Sequence, residues 1–261
     1  MSEDNSKNGI FRRAAFVFAM EVEGRAFAEQ LGLTDRGRLD PDLPATWLEG
    51  DLPMADGGTL AVAAGFAGFD QEAGCDRVGT DAAGLATYLL CRRFNPDLLV
   101  NAGTCGGFQD RGANIGDVFI GQEAFLFHDR RIPIPRFREY GLGRIPAWPL
   151  AGLCEALSAR PGVVSTGDSF ESSPEEMAFF SSEKVVAKEM EAAAIARLAK
   201  DLNIPFVALK AVTDLVDHPL EASDEMFERN LKEVADILQG RLHRLVDWLA
   251  DGQSRTKMAG D

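Results

Sequence analysis

The stretch MEAAAIARLAKDLNIPFVALKAV, residues 190–212, joins an amphipathic helical pattern directly to an apolar strand pattern. We predict a helix over residues 190–202 and a strand over residues 205–212. Phe206 to Leu209 form a continuous apolar run, and parallel strands of this kind are buried on both faces. The stretch therefore predicts an α/β protein in which helices cover a sheet.

The same alternation continues through the rest of the chain. Further strands are predicted over residues 14–20, 59–65, 97–102, 117–121 and 162–166. Further helices are predicted over residues 23–31, 80–94, 174–181 and 224–250. With 261 residues, the chain suits one large domain with a mixed, mainly parallel sheet. We expect this domain to span residues 11–251, between flexible polar tails at residues 1–10 and 252–261.

The composition indicates a soluble globular protein, with 46% hydrophobic and 26% charged residues. The net charge of −14 disfavours binding to nucleic acid or to anionic membranes, because both carry negative charge. The polar start of the chain is unlike a signal peptide, and the longest apolar run, residues 14–20, is too short to span a bilayer. We therefore expect a cytoplasmic protein.

Acidic and glycine residues follow several predicted strands, at the sheet edge where α/β proteins bind ligands. Glu21 and Glu23 follow the first strand, where they could equally be solvated acids that suit a helix N-terminus. Residues 103–107, Gly-Thr-Cys-Gly-Gly, predict a tight turn that a ligand can approach closely. This segment has neither a Walker A ending nor the G-x-G-x-x-G spacing, so it is weak evidence for a nucleotide phosphate site.

Further acidic residues lie at both ends of the stretch 190–212. Glu189 at a helix start could be solvated, whereas Glu191 is followed by a small apolar face that would pack on the sheet. The next strand runs directly into Asp214.

Taken together, these motifs resemble the 5′-methylthioadenosine/S-adenosylhomocysteine nucleosidases of the nucleoside phosphorylase superfamily. The resemblance runs in order from about residue 16 to residue 249, and residues 111–118 and 127–135 are most similar to the plant-type branch. Its main motifs are AMEVE (19–23), NAGTCGG (101–107), EMEAAAIA (189–196) and AVTDLVD (211–217). It implies a three-layer α/β/α sandwich with a mixed central sheet.

The resemblance also implies roles for individual residues. Asp214 matches the acid that protonates the purine at N7, which requires burial to raise its pKa. Glu23 matches the carboxylate that activates the attacking water. Glu191 matches the glutamate that binds the ribose 2′- and 3′-hydroxyls.

The remaining implied residues contact the substrate. Met190 matches a residue alongside the sugar and base, and Phe170 matches the aromatic that stacks on adenine. Thr104 matches a hydroxyl residue near the water and ribose, although a plain turn threonine fits the sequence nearly as well. Met20 completes the substrate-binding set. No metal or other cofactor is expected, since the sequence has no metal-ligand cluster and the reaction requires none.

Two other functions fit the same superfamily. Phosphorylases bind phosphate with arginines, near the positions where this chain has Glu23 and Asn101; Arg25 and Arg77 could be displaced substitutes. Some plant members are storage proteins, but the combination of an acid, a water-activating base and a ribose-binding carboxylate argues against that role.

The resemblance carries three further expectations. It predicts a homodimer, with an interface around residues 119–135, and assigns His128 to a surface or interface contact. The plant-type branch prefers 5′-methylthioadenosine to S-adenosylhomocysteine, and residues 218–223 look longer than their counterparts. The sequence departs from many bacterial members at Glu171 and at Lys210, where they have an apolar residue and an arginine.

Overall fold

The computed structural model describes residues 10–218 and 221–252, which form a layered α/β domain. The strands are β1 (Arg13–Phe18), β2 (Thr34–Arg38), β3 (Thr46–Pro53), β4 (Thr59–Phe66), β5 (Phe69–Asp70), β6 (Cys75–Asp76), β7 (Leu98–Gly107), β8 (Val118–Phe127), β9 (Ile145–Pro146), β10 (Arg160–Thr166), β11 (Val185–Glu189) and β12 (Phe206–Leu215). The α-helices are α1 (Glu21–Gln30), α2 (Thr80–Phe94), α3 (Phe137–Leu142), α4 (Leu153–Leu157), α5 (Pro174–Ser182), α6 (Ala192–Asp201) and α7 (Ser223–Ala250).

Ten of these strands form one mixed sheet in the order β11-β10-β8-β12-β7-β1-β4-β3-β2, with β9 beside β8. The pairs β1–β4, β1–β7, β12–β7, β10–β8 and β10–β11 are parallel, whereas β12–β8, β2–β3 and β3–β4 are antiparallel. Strand β11 also pairs with β7, through Lys188 and Gly106, so this end of the sheet closes on itself. The closure places β11 beside β7, whose other neighbour on that part of the strand is β12.

Helices cover both faces of the sheet, because successive side chains of each strand point to opposite sides. In β1, Phe16 belongs to a core shared with Phe27 of α1 and Leu242 of α7. Its neighbour Val17 belongs to the opposite core, with Ile195 of α6. The three-layer α/β/α sandwich with a mixed central sheet is therefore confirmed.

All the strands and helices predicted from the sequence are present, most of them with shifted ends. The helix over residues 80–94 has its predicted bounds, and the start of α5 is a capping box. There the Ser173 hydroxyl accepts the Glu176 N–H at 3.2 Å, and the Glu176 carboxylate accepts the Ser173 N–H at 2.8 Å. Three longer strands, β2, β3 and β11, were not predicted.

Near the ligand edge one prediction was wrong and one alternative interpretation is excluded. Residues 103–107 do not form a turn but are the second half of strand β7. Glu189 is not a solvated residue at a helix start but the buried last residue of β11, and α6 begins only at Ala192. Small or polar residues at the end of a strand carry no apolar pattern. Without knowledge of the strand pairing they are therefore predicted as a turn or a helix start.

The predicted homodimer interface around residues 119–135 stays a prediction, and part of its first half is buried within one chain. Phe119 and Phe125 of strand β8 are buried within the chain, between neighbouring strands and helix α6. Exposed large apolar side chains begin at Ile134, near the end of this region, and continue to Trp148.

The domain bounds, residues 11–251, stay a prediction. The predicted tails lie outside the described residues, apart from residues 10 and 252. Within the described part of the chain, no helix combines the length and apolar character that crossing a membrane requires.

Candidate active site

A cavity of about 570 Å³ opens where strands β7, β11 and β12 end and where helix α1 begins. The β5–β6 hairpin and the N-terminal half of α7 complete its wall. All seven residues predicted from the sequence line it: Met20, Glu23, Thr104, Phe170, Met190, Glu191 and Asp214. The structure thus brings together residues that are up to 194 positions apart in the chain.

Glu23 is buried in the first turn of α1, so the solvated alternative for this residue is excluded. One carboxylate oxygen accepts the backbone N–H of Thr104 at 2.7 Å and its hydroxyl at 3.0 Å. The other accepts the N–H of Met20 at 3.1 Å. Burial raises the pKa of Glu23, against the lowering effect of the Lys210 charge and these hydrogen bonds.

Two glycines of β7 make room for the carboxyl groups. A Cβ atom at Gly103 would lie 3.1 Å from a Glu23 carboxylate oxygen, and one at Gly106 would lie 2.8 Å from an Asp214 oxygen. These glycines therefore serve close approach of side chains rather than a turn. Glu23 thus reaches β7 at Gly103 and Thr104, and Asp214 reaches it at Gly106, two to three residues further along the strand.

Asp214 is buried near the end of β12, beside an irregularity in the pairing with β7 between Val212 and Asp214. Such a bulge re-aims side chains, and here the Thr213 hydroxyl donates to the Asp214 carboxylate at 2.9 Å. Burial raises the pKa of Asp214 to about 6, although the Thr213 hydrogen bond, the Lys188 charge and a Ser223 hydrogen bond act in the opposite direction. Asp214 can therefore carry a proton near neutral pH.

Glu191 is the residue directly before helix α6, and its carboxylate accepts the Gly79 N–H at 3.1 Å. Burial raises the pKa of Glu191 to about 7; the Lys210 charge lowers it, while the Glu189 and Glu23 charges raise it. The side chain is 7% exposed and faces the same cavity as Glu23.

Behind the cavity lies an ion network that the sequence analysis did not predict. Lys210 is completely buried, with its ammonium 2.7 Å from a Glu189 oxygen and 3.6 Å from a Glu191 oxygen. Burial opposes ionisation of Glu189, but the Lys210 charge and hydrogen bonds from Lys210, Thr166 and the Glu191 N–H lower its pKa overall. The signal available in the sequence was a lysine inside an apolar strand, which requires an anionic partner.

The other predicted residues form the sides of the cavity. Phe170, in the loop after β10, contacts Phe227 of α7 edge to face, with ring centroids 5.5 Å apart. Met190 lies between β11 and α6, and Met20 is the residue directly before α1. Phe170 keeps 37% of its surface exposed, so its ring is accessible to a ligand.

The arginines that a phosphorylase would need do not reach the cavity. Arg25 pairs with Glu29 at 2.9 Å and Asp35 at 2.7 Å, on the outer side of α1. Arg77 pairs with Asp70 at 3.5 Å. Asn101 is buried and donates to the Val17 carbonyl at 3.2 Å. The cavity lining, as far as the structure describes the chain, includes no arginine.

His128 is not a surface residue, contrary to the expectation. Its ring is 4% exposed, contacts the Ser165 hydroxyl at 3.0 Å and packs edge to face on Phe180. Burial lowers the pKa of His128 to about 4, so the ring is neutral at pH 7. Across residues 10–218 and 221–252, no cluster of three or more His, Cys, Asp or Glu side chains has a geometry that could hold a metal ion.

Comparison with known proteins agrees with this geometry. The phosphorylase superfamily model matches residues 58–247. A 5′-methylthioadenosine nucleosidase of Arabidopsis thaliana is 39% identical over 236 residues, which cover 90% of this chain and 86% of the relative.

Solved structures give the same assignment. The apo structure of Arabidopsis thaliana 5′-methylthioadenosine nucleosidase has a TM-score of 0.86 and 37% identity, with coverage of 92% of this chain and 96% of that one. A Neisseria meningitidis nucleosidase in complex with methylthio-immucillin-A has a TM-score of 0.71 and 26% identity, with coverage of 90% and 99%. The chain belongs to the phosphorylase superfamily, in its 5′-methylthioadenosine/S-adenosylhomocysteine nucleosidase family.

Proposed function

We propose that this protein is an N-glycosyl hydrolase that cleaves 5′-methylthioadenosine to adenine and the 5-thioribose. The observation that carries the proposal is the convergence of Glu23, Glu191 and Asp214 on one cavity. Glycoside hydrolysis with inversion uses an acid for the leaving group and a base for water, with room for the water between them. Glu23 and Asp214 reach β7 two to three residues apart, roughly 7–10 Å along the strand, so they approach the cavity from separate positions.

Asp214 acts as the general acid in this proposal. Because burial raises the pKa of Asp214 to about 6, about a tenth of the carboxyl groups are protonated at pH 7 and can donate to purine N7. Protonation withdraws electrons from the C1′–N9 bond, whose electron pair leaves with the base. The ribosyl group then carries the positive charge.

Glu23 is the base that activates water. Its raised pKa makes it a stronger base than an exposed glutamate, and the Thr104 and Met20 hydrogen bonds fix its orientation. As water attacks C1′, its proton passes to Glu23, so the cycle ends with Glu23 protonated and Asp214 ionised. Exchange with solvent restores both groups.

Glu191 binds the ribose diol. A carboxylate can accept from both hydroxyls, and its charge stabilises the developing ribosyl cation. Hydrogen bonds from the two hydroxyls would lower the pKa of Glu191 again once substrate is bound, which favours the ionised form. Met190 and Met20 contact the sugar side, Thr104 lies near the water, and Phe170 stacks on the adenine.

A phosphorylase and a storage protein are the competing functions. Incubation with 5′-methylthioadenosine in phosphate-free buffer, with adenine followed by chromatography, separates them. We expect adenine release at a rate that added phosphate does not change. Release only after phosphate addition would indicate a phosphorylase, and no release in either buffer would indicate a binding or storage role.

The preferred substrate is 5′-methylthioadenosine rather than S-adenosylhomocysteine. The apolar side chains of Phe69, Val78 and Phe227 on the cavity wall suit a methylthio group, whereas a homocysteine group needs partners for two charges. Residues 218–223, on which the sequence expectation rested, are described only in part. Equal kcat/KM values for the two substrates would refute this preference.

The biological setting follows from the same chemistry. The protein takes part in methionine salvage in the cytoplasm, as a homodimer, with a small nucleoside as its ligand rather than nucleic acid or membrane. The net charge of −14 supports a ligand without phosphate. The exposed apolar side chains of Ile134, Phe137, Tyr140 and Trp148 support association of two copies through that face.

A further inference from the structure

Lys188 is a buried cation on the cavity wall that the sequence analysis did not single out. It lies on β11, directly before Glu189, and is 7% exposed. Its ammonium donates to the backbone carbonyl of Ser169 at 3.1 Å and to that of Phe170. It also lies 5.4 Å from the centroid of the Phe170 ring. Lys188 therefore fixes both the backbone and the ring of the residue proposed to stack on adenine.

The same ammonium interacts electrostatically with Asp214. Burial lowers the pKa of Lys188, and the negative charges of Asp214 and Glu176 raise it. Neutral His128 is a further neighbour of Lys188. Apart from Lys188, Asp214 faces hydroxyls of Thr213 on β12 and Ser223 on α7, and the buried thiol of Cys105 on β7. Among these named neighbours, Lys188 alone brings a positive charge to Asp214.

We propose that Lys188 is a positioning residue of the leaving-base site, which acts through Asp214 and Phe170. This inference rests on the proposed function and adds to it a second, charged group on the side of the leaving purine. Lys188 does two things there: it orders the adenine platform, and its charge stabilises the carboxylate that remains when Asp214 has given up its proton.

The proton transfer explains why a cation is useful at this position. Before the step, Asp214 is a neutral acid; afterwards its proton is on purine N7, the C1′–N9 electron pair has left with adenine, and Asp214 is a buried anion. A buried carboxylate without a nearby cation is unfavourable. Lys188 lowers the free energy of that anion, so it makes Asp214 a stronger acid than burial alone would allow.

The test is the pH dependence of adenine release by Lys188→Met and Lys188→Gln. In the wild type, kcat/KM should fall as pH rises through the pKa of Asp214, about 6, because the acid must be protonated. In both neutral variants the pKa of Asp214 rises, so this decline should move to higher pH by about one unit. At pH 5, where Asp214 is mostly protonated in every variant, the rate should fall about three- to tenfold, since the acid is weaker by about one pKa unit.

The two variants separate charge from tethering, because glutamine can still donate to the two carbonyls whereas methionine cannot. Lys188→Arg keeps the charge, so the pH at which kcat/KM declines should be unchanged. If a neutral variant does not fold, Lys188→Arg is the variant that is compared with the wild type. Lys200→Gln, on the exposed end of α6, is the control and should behave as wild type.

An unchanged decline in the neutral variants, with altered KM or kcat alone, would show that Lys188 is only a structural tether and overturn the inference. A decline that moves in Lys188→Arg as far as in Lys188→Gln would also overturn it. Failure of the proposed function is distinguishable, because the wild type itself would then release no adenine.

Discussion

In our proposal, three acidic side chains in one cavity have different tasks, because their neighbours differ. Glu23 accepts three hydrogen bonds, two of them from backbone N–H groups, which favour a fixed carboxylate. Asp214 has a hydroxyl donor and a buried setting that raises its pKa to about 6. Two carboxyl groups whose surroundings give them different pKa values are typical of acid–base catalysis.

Glu23→Gln should reduce turnover by about 100-fold or more, because an amide cannot accept the proton of the attacking water. Glutamine keeps the shape of the side chain, and Glu23 is assigned to water rather than to the base. Adenine should therefore bind as it does to the wild type, which calorimetry can measure. Lost adenine binding with full turnover of the bound substrate would contradict the assignment.

Glu191→Gln should impair both KM and kcat, because the diol contact exists in the ground state and strengthens as the ribosyl cation forms. The loss in kcat/KM should be about 10- to 150-fold, as for hydrogen bonds to a charged group. The 2′-deoxy analogue of the substrate is the matched control and should lose less than the parent. Equal losses for both compounds would remove the diol assignment.

All seven site residues predicted from the sequence line the cavity, whereas Lys188, Glu189 and Lys210 were missed. The first set follows predicted strands or starts helices, so sequence order places it at the ligand edge. Lys188, Glu189 and Lys210 come together only because β11 and β12 both pair with β7. A lysine can be recognised as buried only when its anionic partner is known. Sequence alone does not show that pairing.

At the scale of elements, helices and central strands were predictable because their apolar patterns are strong. Strand β2 has only exposed side chains, and β11 has only three apolar residues before Lys188-Glu189, so the apolar signal of one is absent and that of the other is too short to detect. Lys210 of β12 contacts Glu189, the last residue of β11, and Glu191, which directly precedes α6. This ion network connects the two elements that carry Glu191 and Asp214.

Lys210→Met should lower the free energy of unfolding by about 3–5 kcal/mol, because it leaves Glu189 as an uncompensated buried charge. Urea denaturation measures the change. The double variant Lys210→Met with Glu189→Gln should recover part of the loss, since the stranded charge is then absent. Lys200→Met on the exposed end of α6 is the control. A single variant as stable as this control would contradict the role given to the network.

At the scale of the whole molecule, the segment from Ile134 to Trp148 exposes several large apolar side chains on a protein of net charge −14. Phe137 and Tyr140 of α3 are 57% and 62% exposed, and Ile134 precedes them at 56%. Arg136 and Arg138 lie in the same segment. Several exposed apolar side chains close together in one segment are typical of a contact with another protein surface.

Light scattering at dilute concentration should give twice the 28.3 kDa of one chain. Substitution of Phe137 and Tyr140 by glutamate should shift the mass toward one chain, because charge at the centre of an apolar interface opposes association. Leu202→Glu, which changes an exposed apolar residue outside this segment, is the matched control. A wild-type protein that appears only at 28.3 kDa would contradict the homodimer.

Hydrolysis driven by protonation of the base is the central claim, and Asp214→Asn tests it most directly. The measurement is adenine release from 5′-methylthioadenosine in phosphate-free buffer, for the wild type and the variant side by side, with thermal melting to verify the fold. Asparagine has nearly the same shape but cannot deliver a proton to N7. We predict rapid release by the wild type and a rate about 10²–10⁴-fold lower for the variant, with an intact fold. A variant that keeps more than about half of the wild-type rate, far above the loss expected for a general acid, would show that Asp214 is not the acid.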